Sequence, residues 1–147
     1  MTSQILASFE SATYEFCALA KSIPNERLEV APELGEWPAA YVIHHLADTD
    51  AHFLVRFLNV LALDNPAIIA FDEESFPSAF HYEGRSTRIS IAAIEASCAQ
   101  LVDIFRQLDT GSWDRKGIHS QNGEFTLTAL LELATSHRVA HLDQLKK

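Results

Sequence analysis

The sequence predicts an all-α protein built as one four-helix bundle, with a long crossover connection between the second and third helices. Glycine and proline number only five each and cluster, so four long stretches run without a breaker. Each of those stretches places apolar residues at spacings of three and four, which draws a single apolar stripe on a helix. No alternating, strand-like pattern of comparable length competes with them. A chain of 147 residues with 48% hydrophobic and 21% charged residues suits a single globular domain, residues 1–147.

The first stretch covers about residues 3–22, where Ile5, Phe9, Ala12, Phe16, Leu19 and Ile23 share one face. Pro24 and Asn25 end it. The second runs over residues 38–63, with Pro38 suited to the first helical position and Trp37 placed as a hydrophobic staple before it. The connection, residues 64–89, contains FDEESFPSAFHYEGRS and is long for a bundle. It is expected to pack its phenylalanines over one end of the bundle, with a substrate-facing lid as the competing reading. The third helix is expected after Ser90 as N-cap, with Ile91, Ile94, Cys98, Leu101, Phe105 and Leu108 in register. The fourth follows Thr126 and ends in Lys146 and Lys147, which complement the helix dipole.

The charge balance, 11 basic against 20 acidic residues, gives −9 at pH 7. With a pI near 5.1 and no basic run, nucleic acid and anionic membranes are excluded as expected partners. Cys17 and Cys98 fall on or near apolar stripes and read as buried structural thiols, not as a disulfide framework. The N-terminal residues lack the pattern of a secretion signal, and no apolar run is long enough to span a bilayer. The expected location is the cytoplasm.

Seven histidines carry the chemical signal. In HRVAHLDQL, His137 and His141 lie about 40° apart on a helical wheel. They share an arc with Leu130, Leu133, Ala134, Gln144 and Leu145, opposite Thr128, Glu132, Ser136, Asp143 and Lys146. Two inward imidazoles one turn apart must find hydrogen-bond partners or bind a cation. In IHHLADTDAHF, His45, Asp48 and His52 share a face, and His45 lies on the arc of Val42, Leu46, Thr49 and Phe53. His44 is rotated off that arc. A third ligand from this helix would complete a three-histidine site with open positions; the bland alternative is histidines bonded to the aspartates around them.

The ordered set EWPAAYVIHHLADTD, DRKGIHSQNGEFTL and SHRVAHLDQLKK resembles the DinB/YfiT-like superfamily, from about Gly35 onward and including FDEESF. The resemblance implies a four-helix bundle, commonly a homodimer, with a divalent metal held by three histidines. Matched residue by residue, these are His45, His137 and His141, with zinc or nickel as the expected ion. Trp37–Pro38 stands where the family has a small capping residue. Some members are transferases or isomerases that use low-molecular-weight thiols, so the expected partner is a small-molecule substrate, such a thiol among the candidates.

The expected activity is therefore that of a metal-dependent transferase or hydrolase that activates water or a thiol. Asp48, one turn from His45, is expected to orient it or to act as a base. Gln144, below His141, is expected to hydrogen-bond a ligand or the water, or to bind substrate. His119 is expected either at the mouth of the site or as a plain surface residue. The rival readings are a bundle that holds a metal or small molecule without turnover, and a structural bundle with bonded inward histidines.

Overall fold

A computed structural model describes residues 2–147. Four long helices form the bundle: α1 (Thr2–Ser22), α3 (Ala39–Ala62), α5 (Thr87–Arg106) and α6 (Leu127–Leu145). Two short helices, α2 (Asn25–Leu28) and α4 (Phe76–Ala79), lie in the connections. The main packing pairs are α1 with α6, α6 with α3, α3 with α5, and α5 with α1. The first two long helices, α1 and α3, therefore stand diagonally across the bundle, as do the last two, α5 and α6, while α3 and α5 are neighbours.

Helix starts follow side-chain chemistry. The Thr126 hydroxyl accepts the Ala129 N–H at 3.1 Å and caps α6, which begins after Thr126 as the sequence predicts. For α5 the expectation of Ser90 is corrected. The cap is Ser86, whose hydroxyl accepts from Ile89 N–H, while Ser90 is buried one turn inside the helix. Both serines precede apolar periodicity, so the wheel alone does not choose between them. Pro38 serves as the N-cap of α3, one position before the expected place, and Trp37 joins the apolar cluster that contains Val42.

A small sheet is the element the sequence did not announce. β1 (Ala67–Ile68) pairs in parallel with β2 (Lys116–His119), which pairs antiparallel with β3 (Gly123–Thr126). The strands are two to four residues long, too short for periodicity to show. Gly117 permits the pairing, because a Cβ there would stand 2.8 Å from Ile68 Cγ1 and 3.0 Å from the Pro66 carbonyl oxygen. Next to it, Arg115 donates to the carbonyls of Val60 at 2.9 Å and Leu63 at 2.6 Å, satisfying the last turn of α3.

The core divides into two apolar clusters. One gathers Leu6 and Phe9 of α1, Phe53 and Phe57 of α3, Leu101 of α5 and Leu127 of α6. The other gathers Phe16, Ile43, Leu46, Ile94 and Leu142. Between them lies a buried polar layer: Thr13 on α1, Thr49 and Asp50 on α3, and Arg138 on α6. Arg138 and Asp50 are each only 2% exposed at the side chain and meet at 2.6 Å. The Arg138 guanidinium also lies 4.1 Å from the centroid of Phe9. The wheel expectation for α6 is corrected accordingly. Arg138 occupies the centre of the buried face, and Leu133, expected inside, is 42% exposed. An arc drawn through apolar residues alone passes over a buried arginine.

Burial pushes the Asp50 carboxyl up, to about 6, while Arg138 beside it acts in the opposite direction. Removing one partner leaves an uncompensated buried charge. Arg138→Ala is expected to cost about 3–5 kcal/mol in denaturant unfolding. The double variant Asp50→Ala/Arg138→Met should be less destabilised than Arg138→Ala alone.

Candidate metal centre

His45 projects from α3 into the bundle, and His137 and His141 project from successive turns of α6. Their Nε2 atoms converge: His45 to His137 is 3.3 Å, and His141 to His137 is 3.0 Å. The three are the residues whose nitrogens could share one ion, all within 4.8 Å of one another. Nitrogens bound to one tetrahedral zinc at about 2.0–2.1 Å lie about 3.3 Å apart, so the spacing fits a common ion. Three imidazoles in mutual contact through the same nitrogen cannot satisfy each other by hydrogen bonds alone. The Nδ1 atoms of His45 and His137 are buried without a hydrogen-bond partner. Their tautomers are therefore set by whatever meets Nε2.

Gln144 fixes the third ring. His141 Nδ1 lies 2.8 Å from Gln144 Oε1, so this nitrogen donates its proton and the Nε2 lone pair faces the cluster. Gln144 thus holds the ring of one of the three converging histidines. Trp37 packs edgewise against His45 with centroids 5.3 Å apart, and Phe53 flanks His137 at 6.2 Å. Burial pushes His137 down to about 3, reinforced by His141 and His45, and pushes His45 down to about 4. His141 is lowered by burial as well, against the pull of Gln144 and Glu73. The rings are neutral at pH 7, the state in which imidazole is a ligand.

Other expected residues sit elsewhere in the network. Asp48 does not bond His45; Arg85 holds it in a two-point pair at 2.7 and 2.8 Å. The one-turn spacing from His45 was right, but the fork of an arginine from the long connection outcompetes an imidazole. His44 is fully buried and faces another neighbour, with Nδ1 2.8 Å from Ser90 Oγ and its ring against Tyr82. His119, at the end of β2, accepts the backbone N–H groups of Gln121 and Asn122 on Nδ1, at 3.1 and 3.2 Å. It is engaged in the hairpin turn, in line with the plainer of its two readings.

The carboxylate beside the imidazoles is Glu73, which the sequence reading did not single out. Its Oε2 lies 3.7 Å from His45 Nε2. The route to this placement runs through His52 and Arg56. His52 is stacked on Phe71 and Phe76, centroids 4.3 and 5.6 Å away. Arg56 covers Phe71 and donates to the Ile69 carbonyl at 2.7 Å. Asp72 then caps the 3-10 turn Glu73–Ser75 by accepting the Glu74 N–H. The connection is thereby pinned to α3, as its phenylalanines suggested, and it delivers a carboxylate. The aromatic spacing in FDEESF was the available signal.

A family model described as the DinB superfamily matches residues 8–145. The chain belongs to the DinB superfamily. A protein of Oceanobacillus iheyensis named "Putative metal-dependent hydrolase" is 27% identical over 126 residues, 84% of this chain and 73% of its own length. A Bacillus cereus protein of the same name is 23% identical over 145 residues, covering 97% and 83%. Among solved structures, "YfiT from Bacillus subtilis is a probable metal-dependent hydrolase with an unusual four-helix bundle topology" aligns with a TM-score of 0.89 at 20% identity, over 99% of this chain and 83% of that one. A mycothiol-dependent maleylpyruvate isomerase aligns with a TM-score of 0.79 at 14% identity, covering 99% of this chain and 60% of its own. These two structures share the fold. No helix among the described residues is long and apolar enough to cross a membrane.

The neutral rings carry a pH signature in the metal-free protein. Folding holds His44, His45 and His137 below their ordinary value of 6.5. Their contribution to stability is therefore complete above pH 6.5 and is lost as the pH falls towards 4 and below. Denaturant titrations between pH 7.5 and 4 should show the midpoint falling across that window. His137→Gln should show a shallower fall.

Proposed function

We propose that His45, His137 and His141 hold one divalent ion, zinc or nickel, and that the protein is a metal-dependent enzyme. In this reading it activates a water or a low-molecular-weight thiol for hydrolysis or transfer on a small-molecule substrate. The observation that carries it is the convergence of three neutral Nε2 atoms, from one buried and two half-buried histidines. The names of the sequence relatives, metal-dependent hydrolases, support the same class. A divalent ion with three nitrogen ligands and an open position brings the pKa of bound water to about 7 and favours a thiol as thiolate.

The chain's own residues supply the rest. Gln144 holds the His141 ring by its Nδ1 proton. Glu73, on the Nε2 side of His45, is within reach to accept a proton at Oε2 from a nucleophile bound there. Trp37 and Phe53 exclude water from the flanks of His45 and His137. The thiol and the homodimer rest on the family resemblance, and the cytoplasmic location on the sequence pattern alone.

The test is elemental analysis of protein purified without a metal column, for the wild type and for His137→Ala/His141→Ala. The expected result is about one ion per chain in the wild type and none in the folded variant. A wild type that is metal-free and refuses added zinc and nickel overturns the reading. Gln144→Leu should keep the fold and lose about 10–100-fold in metal affinity, measured by competition with a chelator.

A further inference from the structure

A cavity of about 510 Å³ is lined in part by Trp37 and Gln144. Its floor is apolar, formed by Leu19 and Ile23 of α1, Val42 of α3 and Leu145 of α6. Its charged lining is wholly basic: Arg27, Lys146 and Lys147, in a chain of net charge −9. Lys146 is paired with Asp143 at 3.3 Å, and Lys147 with Glu36 at 3.0 Å. Arg27, on α2, has no acidic partner among the described residues. The volume falls within the roughly 300–1,000 Å³ of small-molecule sites.

We propose that this cavity binds a small amphiphilic carboxylate, with its apolar body on Leu19, Ile23, Val42 and Leu145 and its anionic group on Arg27. A guanidinium presents paired N–H donors that match a carboxylate, and here no acidic side chain competes for them. The apolar floor favours a hydrocarbon body over a bare inorganic anion, and the basic rim disfavours a cationic amphiphile. The occupant would touch Trp37 and Gln144, residues that also contact His45 and His141. The cavity and the imidazole cluster thus share a wall, yet the carboxylate site stands without the metal reading.

The experiment uses the full-length, metal-stripped protein, so its outcome is independent of whether the imidazoles bind an ion. Octanoate, octanol and octylamine are titrated by calorimetry into the wild type and Arg27→Gln. The indole N–H resonances of Trp37 and Trp113 are followed by NMR. Arg27 is exposed on a four-residue helix, and circular dichroism verifies that its variant folds. The expected result is saturable octanoate binding, about tenfold tighter than octanol, as one charge-assisted hydrogen bond provides. Arg27→Gln should erase that preference and leave octanol unchanged, and the Trp37 resonance should shift while Trp113 stays. Octanol binding as tightly as octanoate, octanoate unaffected by Arg27→Gln, a shift confined to Trp113, or no saturable binding each overturns the proposal.

Discussion

The ion pair between Asp50 and Arg138 is the constraint around which the bundle is arranged. It joins α3 to α6 through a 2.6 Å contact with both side chains withdrawn from water, and it reaches α1 through the face of Phe9. Apolar clusters tolerate small slips of one helix along another, since methyl groups accept many partners. A buried guanidinium does not, because any slip leaves two charges without compensation. The pair therefore fixes the axial register of the two helices that carry the imidazoles. His137 is the residue before Arg138, and His45 lies little more than one turn from Asp50. Once the ion pair is seated, the three rings face one another.

That register places the imidazoles in the polar layer between two apolar clusters, and the chemistry of the site follows from the placement. Hydrocarbon on both sides keeps the rings neutral. Gln144 gives one of them a defined tautomer, and the pinned connection brings a carboxylate to the exposed side. Dry walls, neutral nitrogen donors and one nearby acid are what a Lewis-acid site requires from a protein.

Much of this was legible in the sequence. The three-four rhythm through Phe9, Ala12 and Phe16 placed α1, and the i, i+4 spacing placed His137 and His141 on one face. His45 was separable from His44 because Val42, Leu46, Thr49 and Phe53 defined an arc. What escaped has a common cause, in that it depends on pairs distant along the chain. Arg138 reads as a surface residue until Asp50 is known to stand opposite. Asp48 reads as a partner of His45 until Arg85 arrives from the connection. Glu73 reads as a solvated acid until Phe71 and Phe76 are stacked on His52. The short strands escaped because two to four residues carry no period, and Gly117 is explained only by the approach of Ile68.

The diagonal placement of α1 and α3, and of α5 and α6, bears on how the chain is made. Three of the four main interfaces join long helices that are not consecutive, and the partners of α1 are α6 and α5. During synthesis α1 emerges first, and its apolar stripe, with Phe9 and Phe16, has no mate among the long helices until α5 is made and is fully covered only when α6 leaves the ribosome. A nascent chain of this topology spends most of its elongation with a sticky amphipathic helix exposed, a state that invites chaperone capture and premature association. Long loop closures must also precede the rewarding contacts, which makes this bundle a slower folder than an up-and-down bundle of equal length.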